Sequence, residues 1–275
     1  TMDFFGESST PAKVAGMGLF CLILFPITVV ATLVFVPDKV TERKETPGWQ
    51  DFLGILRSNP LLWRLLTADF TTSFAISATA ALYIFVASYA FDLQDQASMA
   101  LLLYFVAGFL AMPAWLKLTY RVGKVGAIKL AMGYTMVLQS GLFFVAEPGN
   151  VGLFWSYTFL AGLAFGATPT LLHSLMADLT DIDELKTGQK RAGMYFSLLG
   201  TISKLGGALA VGFTLTTADT LFDFTPSAAN SQTAVDGLLL IFCFVPVTAM
   251  ALTYIPLHRY PLTKEKLTEI KHSPG

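Results

Sequence analysis

The chain has 275 residues, 54% of them apolar, 13% aromatic and 13% charged, with a formal net charge of -1 at pH 7; its mean hydropathy is +0.60. That is about half the charge of a soluble domain, so a water-soluble globule is excluded; the net charge says nothing about partners, because the charges are segregated along the sequence, and no nucleic-acid-binding footprint is found. The composition suits a protein dissolved in lipid, and no alternating apolar pattern points to a barrel.

The opening TMDFFGESSTPAKVAG lacks the basic region and short apolar core of a signal peptide. It does not begin with Met, and is read as a fragment whose upstream part is missing. Seven apolar runs of the length a helix needs to cross the hydrocarbon follow. The first, Gly16 to Val36, contains Pro26 and Cys21. The polar link from Pro37 to Pro60 holds an amphipathic piece, Trp49, Phe52, Leu53, Ile55 and Leu56, expected to lie along the membrane surface. Asn59 before Pro60 is a helix start: Asn accepts from free backbone N–H groups, and Pro loses no needed donor. The second run spans Leu61 to Phe91, the third Ala97 to Leu116, the fourth Gly126 to Ala146 and the fifth Val151 to Ala177. The sixth spans Gly193 to Thr217 and the seventh Val235 to Ile255, which includes Cys243; the two cysteines read as small packing residues and predict no structural disulfide. Pro26, Pro113, Pro169 and Pro246 each fall within a span and predict kinks, and Gly162 with Gly166 forms a close-approach face.

Fifteen of the 18 basic residues lie after the first, third, fifth and seventh runs. These include Lys39, Arg43, Lys44 and Arg57; Lys117, Arg121, Lys124 and Lys129; Lys186, Lys190 and Arg191; and Arg259, Lys264, Lys266 and Lys271. The opposite links, DLQDQ, EPGN and ADTLFDFTPSAANSQT, are acidic or neutral. The expected orientation puts the N-terminus outside and the C-terminus in the cytoplasm.

Lys204 sits about 11 residues into its run, near the bilayer centre, where a lysine costs roughly 2.5 to 3.5 kcal/mol to insert. Such a residue is expected to face a partner or a water-filled path. Ser197, Gly200, Gly207 and Ala208 share its face at helical spacing, suiting either close substrate approach or plain helix packing. Asp69, Ser73 and Ser77 form a polar stripe on the second span. The stripe either lines water or reflects a structural pairing of Asp69 with Arg64 or Lys204, and a protonatable carboxylate in that position is also a candidate for proton coupling. His173, within two turns of the next link, reads as an interfacial histidine.

The strip DLTDIDELKTGQKR, Asp178 to Arg191, is expected outside the hydrocarbon as a link between two spans. Two readings stand: a latch in which Asp178, Asp181 or Glu184 pairs with Arg191, Arg121 or Lys124, or solvated charges with no net coupling. Asp181-x-Asp183 fails as a calcium loop, because its sixth place holds Lys186 and its twelfth Ala192. No metal site is expected. Phosphate-loop, H-E-x-x-H, C-x-x-C and G-x-S-x-G patterns are absent, so an enzyme is not expected.

The stretch MADLTDIDELKTGQKRAGMYFSLLGTISKLGG, Met176 to Gly207, resembles a region of the glycoside, pentoside and hexuronide cation symporters, the family of melibiose permease. It shares an A-D pair, a D-x-x-E-x-K strip, a basic residue, a small-residue turn into a helix, and K-x-G-G. NPLLWRLL, Asn59 to Leu66, resembles the start of that family's helix seven, and Arg121-Val122-Gly123-Lys124 its loop between helices eight and nine, with Tyr120 where Asp is common. The resemblance covers the whole chain.

It implies an all-α integral membrane protein of major facilitator type, with seven transmembrane helices corresponding to helices six to twelve of twelve. Residues 1–36 would supply the last helix of the N-terminal bundle, 37–60 a cytoplasmic link, 61–256 the C-terminal six-helix bundle, and 257–275 a cytoplasmic tail. The expected function is cation-coupled symport of a sugar or glycoside across the inner membrane. The resemblance carries the family's cavity-lysine role to Lys204 alone; Gly200, Ser197, Asp69 and Ser73 are candidate solute contacts by their places on the helix faces described above. The coupling cation, sodium or proton, has no site assignable in this chain, since the family's cation-binding carboxylates lie mainly in the first half. Implied partners are membrane lipid, the solute and the missing N-terminal half. The alternatives are a lipid or organic-anion carrier of the same fold, or a membrane enzyme or scaffold.

Overall fold

The computed structural model describes residues 10–36, 54, 56, 59–226 and 230–261, and all its regular elements among them are helical. The chain divides into two units, residues 1–48 and 49–275. In the first, α1 (Thr10–Phe35) carries the apolar stretch Gly18–Phe35. Thr28 and Thr32 return their hydroxyl protons to the carbonyls of Phe25 and Thr28, 2.8 Å each, which satisfies a hydroxyl inside an apolar helix.

The second unit contains α2 (Pro60–Phe85), continued by a π turn at Val86–Ala90, then α3 (Gln94–Val145), α4 (Val151–Leu163), α5 (Ala167–Thr187), α6 (Ala192–Phe222) and α7 (Gln232–Leu257). Across both units, six helical stretches among the described residues are long and apolar enough to cross a membrane. The 52 residues of α3 are too many for a single crossing. Gly123 breaks that helix with φ 76° and ψ 165°, a conformation in the left-handed region that a side chain disfavours. Its two limbs, 94–122 and 124–145, each exceed the about 20 residues a crossing needs. Counted separately, they bring the spans to the seven expected. The link foreseen around Arg121 and Lys124 thus shrinks to one residue.

The expected fifth span is also different in kind. Its helix stops at Leu163 and restarts at Ala167 after Gly166, whose φ is 73°. Four carbonyls near the break find donors: Leu160 from the Tyr134 hydroxyl at 2.8 Å, Ala161 and Gly162 from the amides of Ala164 and Phe165, and Leu163 from the Trp115 indole at 2.7 Å. An open backbone is tolerated in a membrane only when satisfied in this way. Pro169 therefore lies in the first turn of α5, where its missing N–H costs little, and causes no mid-helix kink. Gly162 and Gly166 are likewise not one face. A Cβ at Gly162 would stand 2.4 Å from the Tyr104 carbonyl oxygen of α3, so this glycine permits close packing while Gly166 supplies the break.

Asn59 caps α2 as expected, accepting from the amides of Leu61 and Leu62 at 3.2 Å each, with Pro60 at the first helical position. Helix α2 packs most extensively against α6 and α7, α3 against α4 and α7, and α5 against α2 and α3. Two apolar clusters result. One, with Leu62, Leu65, Ile128, Leu172, Leu175, Tyr195 and Leu257, sits at the charged end of the bundle. The other, with Leu82, Phe91, Phe154, Phe224, Leu238 and Phe242, sits at the opposite end.

Two of the polar connections that hold α7 lie at its prolines. Arg64 donates Nε to the Pro256 carbonyl at 2.7 Å and Nη2 to that of His258, and its guanidinium lies 5.4 Å from the centre of the Tyr260 ring. A cation at a helix C-terminus also suits the helix dipole. Further along, Pro246 has no N–H to offer the Phe242 carbonyl four residues earlier, and the Gln139 amide donates to that oxygen instead, at 2.7 Å. The Tyr157 hydroxyl then donates to Gln139 Oε1 at 2.7 Å, tying α4 to α3 and α7.

Of the amphipathic segment, Trp49, Phe52, Leu53 and Ile55 lie outside the described residues, as do the basic residues of the link and of the tail beyond residue 261. Leu56 packs against the charged-end cluster and accepts the Trp63 indole N–H at 2.6 Å.

Candidate functional site

Between the two apolar clusters, the seam of α2 and α6 carries three serines and a lysine among apolar neighbours and forms an open cavity of about 440 Å³. Ser73, Ile76 and Ser77 line it from α2; Ser203, Lys204, Gly207, Ala208 and Val211 line it from α6. The helices approach closely because a Cβ on Gly206 would stand 2.7 Å from the Phe70 carbonyl oxygen, and one on Gly207 3.0 Å from Ser77 Oγ. Lys204, exposed in this unit, is the sole charged residue of the lining. It lies about 18 Å along α6 from Ala192, so at mid-helix depth.

The structure sorts the sequence candidates. Lys204 and Ser73 line the cavity together. Gly200 and Ser197 are one and two turns earlier on α6 and outside the lining; no atom lies within 4 Å of a Cβ built on Gly200, and Ser197 donates to its own helix at the Met194 carbonyl, 2.9 Å. Asp69 is 2% exposed, behind the cavity wall. Its partner is neither Arg64, which is spent on α7, nor Lys204, but the hydroxyl of Ser203. That serine also lies 3.0 Å from the Leu199 carbonyl oxygen, one turn back on α6. Ser203 was not among the sequence candidates. Its place beside Lys204 is visible in the sequence, but its contact with Asp69 depends on how α6 is rotated against α2.

At the charged end, α5 does not stop at Ala177. It continues to Thr187 and ends at Gly188, whose φ is 68° and whose amide donates to the Glu184 carbonyl at 2.8 Å. Most of the strip expected as a link is therefore helix, since a charged sequence leaving the hydrocarbon has no need to stop being helical. Lys124, on the second limb of α3, bonds Asp178 Oδ2 at 2.5 Å and the Ser174 carbonyl at 3.2 Å. Arg191 takes Asp183 in a two-pronged pair, 3.0 Å for each contact. The Lys124–Asp178 pairing was among those expected, whereas the carboxylate holding Arg191 is Asp183 instead of Asp178, Asp181 or Glu184. Asp181, Glu184 and Arg121 are exposed. His173 has its Nδ1 2.8 Å from the Pro169 carbonyl oxygen, and its ring stacks on Phe196 with centroids 6.3 Å apart.

Comparison with known proteins gives three informative relatives. The chain is 26% identical over 184 residues to an uncharacterized symporter, sll1374, of Synechocystis sp., which covers 63% of this chain and 34% of that protein. It is 28% identical over 218 residues to the putative glycoside/cation symporter YagG of Escherichia coli, covering 76% of this chain and 45% of YagG. It is 23% identical over 278 residues to the glucuronide carrier protein homolog of Escherichia coli, covering 96% of this chain and 58% of that protein. The chain thus spans about half the length of the curated relatives it matches. One family description, MFS/sugar transport protein, fits residues 1–264, a range that includes α1, the cavity-forming helices and both charged pairs. With that single match running through nearly every element described above, the chain belongs to the MFS/sugar transport protein family.

Proposed function

We propose that this chain supplies one bundle of a cation-coupled symporter for a sugar or glycoside, working in the inner membrane as a transporter and not as an enzyme. The observation that carries the reading is the Lys204 cavity: a lysine at mid-membrane depth, costly to insert, opening with three serine hydroxyls onto an accessible space. The relatives' greater length and the exposure of Lys204 support a second bundle across the cavity, made from a preceding N-terminal half. In that arrangement residues 1–36 belong to the first bundle and 61–256 form the second, with 257–275 as a tail. Rocking of two bundles around a midplane site is how such folds alternate access.

The basic end faces the cytoplasm by the positive-inside rule. There the Lys124–Asp178 and Arg191–Asp183 pairs brace the bundle, and the exposed Arg121, Asp181 and Glu184 supply charges for the gate between bundles. Ser197 and Gly200 continue the face of α6 below Lys204 and form part of the solute path once the second bundle is in place. A second reading, carriage of an organic anion, is favoured by one feature: Lys204 brings the cavity lining its only charge.

The test is uptake of labelled solute into vesicles under an imposed cation gradient, with this chain alone and with an N-terminal bundle supplied alongside it. Uptake is expected only in the second case, and Lys204→Met is expected to abolish it while Lys186→Met leaves it intact. Concentrative uptake by the chain alone, or normal uptake by Lys204→Met, refutes the proposal. Competition by neutral glycosides against glycosides bearing a carboxylate separates the two solute readings.

A further inference from the structure

We infer that Asp69 and Ser203 form a proton-exchange site whose state is felt in the cavity wall. Ser203 Oγ lies within hydrogen-bonding distance of both Asp69 Oδ2 and the Leu199 carbonyl oxygen. A hydroxyl has one proton, and a carbonyl oxygen can only accept. If Asp69 is ionised, that single proton serves one neighbour, and the other oxygen faces Ser203 Oγ with no proton between them. If Asp69 carries a proton, its O–H donates to Ser203 Oγ, Ser203 donates to the Leu199 carbonyl, and every contact is served.

The exchange is balanced and local. Asp69 passes its proton to Ser203 Oγ and keeps the electron pair, while Ser203, which lines the cavity, releases its former proton to water there. The Ser203 hydroxyl has then rotated from Leu199 to Asp69. The Leu199 carbonyl still has the backbone N–H of Ser203, four residues along α6, so the rotation leaves no backbone group unpaired. Ser203 is itself part of the cavity lining, and its lone pairs are committed differently in the two states. A solute hydroxyl bonded to Ser203 and a proton on Asp69 must therefore alter each other's affinity. The coupling role rests on the transport reading above; the proton site itself does not.

A proton fits this place better than a metal cation. Hard cations of the calcium kind take about six to eight oxygen ligands. Here the structure brings together only the carboxyl of Asp69, the hydroxyl of Ser203 and the Leu199 carbonyl oxygen. Among the described residues no group of three or more His, Cys, Asp or Glu is placed to hold an ion. The other charged or titratable groups on the packed elements are accounted for. On α5, His173 has its Nδ1 directed to the Pro169 carbonyl. Lys204 of α6 faces the cavity and forms no ion pair with Asp69. From α7, Tyr254 is turned to the Lys129 carbonyl at 2.5 Å, and Thr253 bonds Thr71 at 2.7 Å. Arg64 of α2 is engaged at the end of α7.

Infrared difference spectroscopy of the purified chain in lipid bilayers, titrated with pH in the absence of solute, tests the site directly. A carboxylic-acid carbonyl stretch that vanishes on deprotonation is expected. It should be lost in Asp69→Asn, shifted in frequency in Ser203→Ala and retained in Asp236→Asn, a carboxyl in the first turns of α7. Replacing choline chloride by sodium chloride should leave it unchanged. A band that survives Asp69→Asn, or one that sodium removes, overturns the proposal. Should Asp69→Asn fail to fold, an unshifted band in Ser203→Ala overturns it equally. Because no solute is present, spectra as expected combined with absent uptake would refute only the transport reading.

Discussion

Gln139→Leu tests whether a side chain from α3 replaces the backbone donor that Pro246 lacks. Gln139 is 3% exposed, and it both donates to the Phe242 carbonyl and accepts from the Tyr157 hydroxyl, each at 2.7 Å. Leucine nearly preserves the volume but removes both contacts. Hydrogen bonds between membrane helices are worth about 0.6 kcal/mol on average and up to about 1.7, and leaving a buried polar group unpaired costs about 1–3 kcal/mol. With two groups orphaned, the expected loss of stability is about 2–3 kcal/mol. Pro246→Ala restores an N–H at position 246 that can reach the Phe242 carbonyl. In that background Gln139→Leu should cost only about 1 kcal/mol, the share of the Tyr157 hydroxyl. The coupling of about 1–2 kcal/mol exceeds the roughly 0.5 kcal/mol within which independent sites add. Reversible unfolding of the four forms in mixed lipid and detergent micelles measures it, and the cycle cancels any change of helix bend common to both proline-free forms. Equal costs in the two backgrounds would show that Gln139 does not stand in for the missing donor.

Gly123→Ala should destabilise the chain by about 1–2 kcal/mol, because φ 76° is reached there without a side chain and open space does not relieve that strain; thermal unfolding checks this, and a neutral result would mean the two limbs of α3 join differently. Gly206→Leu places a side chain where the Phe70 carbonyl stands, so the α2–α6 seam should open and thermal stability and solute binding should both fall, whereas Gly200→Ala should leave the stability unchanged. Arg191→Lys should retain charge but lose the two-pronged contact with Asp183, costing up to about 1 kcal/mol, with Asp183→Asn adding little more in a double-mutant cycle. For orientation, a cysteine replacing Glu147 should react with an impermeant thiol reagent in sealed cells and one replacing Gln189 should not; the reverse order would turn the proposed topology over.

Much of this protein is legible from single residues and their neighbours. Apolar runs mark membrane spans because transfer into hydrocarbon depends on residue type and length alone, and Asn59-Pro60 announces α2 because capping is a contact within one turn. Lys204 stands out for the same reason, since its insertion cost needs no partner to be noticed. The local rules fail where two devices lie close together: Pro169 was read as a kink, but Gly166 had already ended the helix. They also fail at the bilayer edge. Leaving hydrocarbon and leaving the α-helix are different events, which is why α5 carries its charges on to Thr187. Pairings were beyond reach altogether. That Asp69 meets Ser203 and not Lys204, that Arg191 takes Asp183, and that Gln139 serves Phe242 depend on how each helix is rotated about its axis. That rotation is set by contacts between surfaces distant in sequence, such as Gly206 seated against the Phe70 carbonyl, and only the packed bundle decides it.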